Sequence, residues 1–134
     1  GQPASEHIRG HGFSGQRYAA LKICLNLERR TLYQGIDARV DTMLEAGFAD
    51  EVRRLIDRGF TPDLKSMQSI GYRHMTQYLQ GETGWEEMRE TMMRDTRRYA
   101  KRQLTWFRGD PEMIWVDKQA GIQGIFKLIE GFIN

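Results

Sequence analysis

Apolar side chains recur every three to four residues along most of this chain, and only two short runs break that helical rhythm. Residues 18–27 (YAALKICLNL) are nearly continuous in apolar positions, as a strand covered on both faces would be. Met113-Ile114-Trp115-Val116-Asp117 is the second such run. Between them the pattern predicts four helices. Over residues 28–46, Leu32, Ile36, Val40, Met43 and Leu44 share one side, and Gly47 stands where a helix C-terminus needs glycine. Residues 48–58 form a second helix with Val52, Leu55 and Ile56 inward, stopped by Gly59 and Pro62. Residues 67–80 form a third, interrupted near its start by Ile70-Gly71-Tyr72-Arg73, and residues 85–108 a long fourth, ended by Asp110-Pro111. Ile122, Ile125, Phe126, Ile129, Phe132 and Ile133 follow the spacing of a closing helix packed on one face. Residues 1–17 have no apolar period and read as an irregular segment leading into a unit over 18–134. Two strands cannot build a sheet buried on both faces. The expectation is therefore a mostly helical part of a larger α/β protein, with its remaining strands upstream.

The long fourth helix divides into unlike faces at about 100° per residue. Arg94, Arg97, Arg98, Lys101, Thr105 and Arg108 fall on one arc, with Arg102 at its edge. Met92, Thr96, Tyr99, Ala100, Gln103, Leu104, Trp106 and Phe107 fall on the other, so helical phase places Trp106 in the core. From Arg94 to Arg108 there are six basic residues against the single acid Asp95, a local charge of +5 in a chain whose net charge is +2. Solvated helix faces usually mix signs at i,i+4 spacing. An unmixed cation stripe is suited to an extended polyanion.

Composition narrows the field further. Of 134 residues, 28% are charged and 40% hydrophobic, which is ordinary for one soluble core or a piece of one. No run approaches the roughly 20 apolar residues that span a bilayer, and no signal peptide opens the chain. Cys24 is the sole cysteine, so no disulfide framework forms and a reducing cytoplasm fits. Gly10-His11-Gly12-Phe13-Ser14-Gly15 matches G-x-G-x-x-G, but a strand follows it rather than precedes it, so it reads as chance. His7 and His11 have metal-ligand spacing and no third ligand near them. Gly71 has two readings that the residues leave open. Either the missing Cβ admits a packing neighbour, or a phosphate or ribose approaches the backbone there beside Arg73.

Asp95-Thr96-Arg97-Arg98-Tyr99-Ala100-Lys101-Arg102-Gln103-Leu104-Thr105-Trp106-Phe107-Arg108 resembles the signature of tRNA dimethylallyltransferases, also called tRNA isopentenyltransferases. So do Ser69-Ile70-Gly71-Tyr72-Arg73, Leu32-Tyr33-x-x-Ile36-x-x-Arg39 and Met43-Leu44-x-x-Gly47-Phe48-x-x-Glu51-Val52, in the same order and spacing, over about residues 18–117. The resemblance implies a P-loop-type α/β core with its nucleotide (ATP) association, a helical insertion, and Mg²⁺. It also implies transfer of a dimethylallyl group from dimethylallyl diphosphate to the exocyclic amine of the adenosine just 3′ of the anticodon.

The departures carry equal weight. No G-x-x-x-x-G-K-[ST] loop occurs in the chain, and the Asp that the family places after that loop as general base has no counterpart. The chain thus resembles the C-terminal half alone, entering after the insertion and partnered by the N-terminal half of the same enzyme; no catalytic residue and no Mg²⁺ ligand is expected within it. At matching positions the resemblance assigns tRNA contact to Gln68, Ser69, Ile70, Gly71, Tyr72 and Arg73. It assigns the same role to Arg97, Arg98, Lys101, Arg102, Gln103, Leu104, Thr105, Trp106, Phe107 and Arg108, which together face the anticodon stem-loop. Arg39 is assigned to the diphosphate leaving group, and Trp106 and Tyr72 are possible stacking surfaces for an extruded base. Two other readings remain: a helical RNA-binding module without chemistry, and an interaction domain whose stripe meets an acidic protein.

Overall fold

A computed structural model describes residues 18–118 and 121–134. They belong to two compact units, one helical and spanning residues 26–111, the other combining the segments on either side of it.

In the helical unit each helix starts and stops for a local reason. Helix α1 (Arg29–Glu45) is capped by Glu28, whose carboxylate accepts the Arg30 and Thr31 amides at 2.9 and 2.8 Å. Those backbone donors hold Glu28 below the ordinary carboxylate value. Gly47, at φ +92°, turns the chain directly into α2 (Phe48–Asp57). There Asp50 and Glu51 lie in the first turn and Arg54 in the last, each complementing the helix dipole. The exit from α2 is a Schellman turn at Gly59, with the Phe60 amide bonded to the Leu55 carbonyl and the Gly59 amide to Ile56.

The third helix corrects the expected span. It covers only Tyr72–Leu79 (α3), and residues 61–71 form consecutive turns instead. Gly71 sits at φ +98°, ψ −69°, a conformation no helix contains, so the helix cannot begin before it. Helix α4 (Trp85–Arg108) then runs for 24 residues, about 36 Å. The core of this unit is Val40 and Leu44 of α1, Phe48 and Val52 of α2, Met75 of α3, Met88, Met92 and Met93 of α4, and Met67 from the turns. Unbranched methionines suit a core in which an irregular turn segment meets helices at mixed angles.

In the other unit, β1 (Lys22–Asn26) pairs in parallel with β2 (Met113–Asp117). The strand is shorter than the ten residues expected from its apolar run. Lys22 Nζ reaches Glu112 Oε2 at 2.7 Å, and α5 (Gly121–Ile133) packs against β2. Val116 is buried, but Leu25, Ile114, Ile122, Phe126, Phe132 and Ile133 are exposed. No residue of α5 is buried although its apolar period is clear.

Candidate nucleic-acid interface

The cation stripe of α4 is present, and part of it is already spoken for. Arg97 Nη1 donates to Asp37 Oδ1 of α1 at 2.5 Å, which ties the two helices together. Arg94 and Arg98 lean on Asp95 at 3.4 and 3.6 Å. One turn before the stripe, Arg89 forms a forked pair with Asp41 of α1 at 2.5 and 2.7 Å and holds that carboxyl below its ordinary value. The stripe unmixed along its own helix is therefore mixed in space, because Asp37 arrives from 60 residues away. Lys101 has no ion-pair partner among the described residues, and Arg102 lies over the Tyr99 ring, 5.8 Å from its centroid. Arg94, Arg98, Lys101, Arg102 and Arg108 are exposed. Arg94 and Arg98 are exposed and their contacts are long, while Asp95, largely covered, keeps Arg73 and His74 as partners, so the two arginines can turn to a phosphate.

Beside the stripe, α1, the 61–71 turns and α4 enclose a groove of about 690 Å³. Ile36, Val40, Met43 and Met92 give it an apolar floor, and Arg39, Gln68, Ser69, Ile70, Thr96, Tyr99 and Arg102 complete its walls. Five of the positions singled out from sequence thus converge: Arg39, Gln68, Ser69, Ile70 and Arg102. Ile36 and Met43, expected inward, are half-buried because they line this groove, Met43 packing against the core as well. Arg39 is exposed and has no carboxylate partner among the described residues. Gln68 and Ser69 are committed to the turn itself: Gln68 Nε2 donates to the Pro62 carbonyl at 2.7 Å and Ser69 Oγ to that of Ser66 at 2.6 Å. A second groove, about 770 Å³, runs along the start of α4, but its lining mixes Asp37, Glu86, Glu87 and Glu90 with Arg89, Arg94 and Arg97 and so lacks the unmixed positive charge that suits a polyanion.

The two expected stacking surfaces come out differently. Trp106 is 75% exposed, against the expectation that it lies in the core, with its ring 5.1 Å from that of Phe107. All the buried residues of α4 (Met88, Met92, Met93) lie in its first half, where α1 and α3 cover it. Within the helical unit α4 outruns those partners, so periodicity continues past the point where it has a core to face. Tyr99 is exposed for the same reason, and Leu104 is only half-buried. Gln103 and Thr105 are exposed as well. Tyr72, by contrast, is held in the packing, its ring edge-on to Phe48 at 5.4 Å and its hydroxyl donating to Glu51 Oε1 at 2.5 Å. That hydrogen bond to a carboxylate, aided by burial, raises the Tyr72 phenol above its usual value.

Gly71 acquires a conformational reason. A Cβ there would make ordinary contacts, 3.4 Å from Met92 Cε and 3.5 Å from Phe48 Cζ, but the positive φ disfavours any side chain. Its amide donates to Nδ1 of buried His74 at 3.3 Å. His74 Nε2 lies 3.3 Å from Asp95 Oδ2, and Arg73 pairs with the same oxygen. Burial alone would raise the Asp95 carboxyl. Hydrogen bonds from His74 and Arg94 and the charges of Arg73 and Arg94 outweigh it, so the group sits below its ordinary 3.8. Neither His74 nor the hub role of Asp95 was signalled by periodicity or charge, because both depend on contacts across 21 residues or more.

Residues 1–110 match the family described as IPP transferase. Over all 134 residues the chain is 53% identical to a tRNA dimethylallyltransferase of Desulfosudis oleivorans and 46% identical to one of Geobacter sulfurreducens, in each case spanning 43% of that protein's length. Among solved structures, the full-length tRNA isopentenylpyrophosphate transferase of Bacillus halodurans superposes on 95% of this chain with a TM-score of 0.78 at 40% identity; 41% of that chain is covered. The tRNA delta(2)-isopentenylpyrophosphate transferase of Staphylococcus epidermidis does so on 99% with a TM-score of 0.82 at 34% identity, 44% of it covered. The chain thus spans less than half the length of these relatives.

Proposed function

The chain belongs to the IPP transferase family, and from that premise we propose that it is the RNA-gripping part of a tRNA prenyltransferase acting in the cytoplasm. The reaction joins the exocyclic amine of the adenosine 3′ of the anticodon to the first carbon of the dimethylallyl group. The carbon–oxygen bond to diphosphate breaks, diphosphate departs with the electron pair, and the amine gives up a proton. The observation that carries this reading is the groove in which Arg39 and Arg102, neither paired with a carboxylate among the described residues, adjoin the 68–70 turn beside the basic stripe. A guanidinium fork matches a diphosphate oxygen pair and stabilises the charge that develops as the leaving group departs. Arg98, Lys101 and Arg108 hold the anticodon stem-loop through its phosphates, a contact that sets register rather than sequence. The exposed Trp106 offers a ring on which an unstacked base can lie.

The family brings Mg²⁺ with it. Among the described residues no three His, Cys, Asp or Glu side chains converge, and no step here runs through the ion. Its ligands, the phosphate-cradling loop and the general base are assigned to the portion of the relatives outside this chain. That N-terminal half is also the natural cover for the exposed apolar side chains of β1, β2 and α5. Among the described residues no helix is long and apolar enough to cross a membrane.

Two experiments test the reading. The purified 134-residue chain should transfer no labelled dimethylallyl group to tRNA, and measurable transfer would overturn the assignment of the chemistry elsewhere. In the full-length protein, Arg39→Ala should slow transfer by about 10²- to 10³-fold, the effect of losing one donor to developing charge, with tRNA affinity unchanged. A parallel loss of tRNA affinity would instead place Arg39 on the RNA.

A further inference from the structure

The 68–71 turn must be held in one place if it and α4 are to meet the same RNA, and its side-chain bonds from Gln68 and Ser69 run back into the turns rather than across to α4. It precedes a helix of only eight residues. Its backbone is bent at Gly71 into a positive-φ conformation, open to glycine, that the chain on its own does not fix. One side chain bonds directly to the amide at that bend. We propose that His74 is a positioning residue for this turn, its imidazole joining the Gly71 amide to Asp95 of α4 so that turn and basic stripe face RNA as one surface, and that protonation of Nδ1 releases the turn. This rests on the reading of the groove and stripe as an RNA site.

The geometry dictates the proton's place. The Gly71 N–H points at Nδ1 from 3.3 Å, so Nδ1 must carry the lone pair. The ring proton is then on Nε2, where it donates to Asp95 Oδ2 at 3.3 Å. Both ring nitrogens are occupied, and the side chain is 4% exposed. A second proton could go only to Nδ1, opposite another donor and away from water. Asp95 is in turn the acid on which Arg73 of the first turn of α3 and Arg94 and Arg98 of the stripe converge. One histidine therefore couples the backbone of the turn to the carboxylate that organises the cations on α4.

The charged groups facing His74 oppose each other. From α4, Asp95 favours the imidazolium and Arg94 disfavours it; from α3 itself, Arg73 disfavours it. The titratable group that α2 brings to α3 is Glu51, engaged by the Tyr72 hydroxyl. Burial is the largest influence and, with the two arginines, keeps His74 below its ordinary 6.5. The sign follows. A depressed value in the folded state means that the contribution of His74 to stability is complete above 6.5 and is lost as pH falls through the lower, folded value. Exposed histidines would act the other way, gaining charge at low pH and tightening a phosphate contact.

The test uses the full-length protein. Long-range ¹H–¹⁵N correlation at neutral pH should find His74 neutral with its proton on Nε2; a proton on Nδ1, or a charged ring, would overturn the proposal without any variant. Affinity for tRNA should fall as pH drops through the depressed value of the folded imidazole, which lies below 6.5. His74→Phe, which fills the space but accepts nothing, should weaken binding at neutral pH by a few-fold to about tenfold, the worth of one hydrogen bond, and should abolish the fall with pH. His74→Asn, whose Oδ1 can stand where Nδ1 does, should recover most of the affinity while remaining insensitive to pH. A purely structural histidine would lower thermal stability and leave the pH profile of binding where it was. If the unaltered protein binds tRNA and His74→Phe matches it in affinity and pH profile, this inference fails and the RNA reading stands. If the unaltered protein does not bind tRNA, the RNA reading itself fails, and the positioning role with it.

Discussion

Met75→Ala is expected to remove about 2–5 kcal/mol of stability, enough to lower the melting temperature of the full-length protein by several degrees. Met75 has no exposed surface and sits on α3, the short helix between α2 and α4. Truncation deletes three heavy atoms from the centre of a core that includes Val52, Met88 and Met92. Those neighbours include flexible methionines that can partly refill the space, which argues against the top of the range. Leu104→Ala makes the internal control. Helical phase puts Leu104 on the packed side of α4, but it is only half-buried, so its truncation should cost less than that of Met75. Thermal melts of the two variants check the order; equal losses, or a larger one for Leu104, would mean that the far half of α4 is covered more fully than its exposure indicates.

That contrast also marks what sequence could and could not convey. Helix limits were legible wherever one residue settles them. Gly47 and Gly59 adopt the left-handed conformation at helix ends, and α4 spans the residues its pattern predicts. The third helix was overextended because Met67 and Ile70 continue an apolar period while Gly71, for backbone reasons, forbids the helix to start before it. Periodicity also cannot report where a helix runs out of partners, which is why Trp106 was placed inside. Of the site, the basic stripe and Arg39 were visible as charge and motif. The acids that tie Arg97 and Arg89 down, and the His74 link to Gly71 and Asp95, exist only once α1, α3 and α4 are packed together.

The second large effect is on RNA. Arg98→Ala with Lys101→Ala in the full-length protein should weaken tRNA binding by about tenfold or more at low salt, since each removes a phosphate partner from a site dominated by such contacts. Stability should barely change. Both side chains are exposed, Arg98 stands a loose 3.6 Å from Asp95, which keeps Arg73 and His74 as partners, and Lys101 has no ion-pair partner among the described residues. Arg97 is a poorer choice for this purpose because its bond to Asp37 joins α1 to α4, so its loss would mix binding with packing.

The measurement that bears most directly on the account is the salt dependence of that binding. The affinity of the full-length protein for an anticodon stem-loop, titrated across salt concentration, gives a slope of log K against log salt that counts the phosphates engaged. The double variant should show a slope shallower by up to about 0.9 for each residue removed, with the melting temperature of the unaltered protein. An unchanged slope, or a preference for an acidic protein over the stem-loop, would contradict the assignment of α4 to RNA.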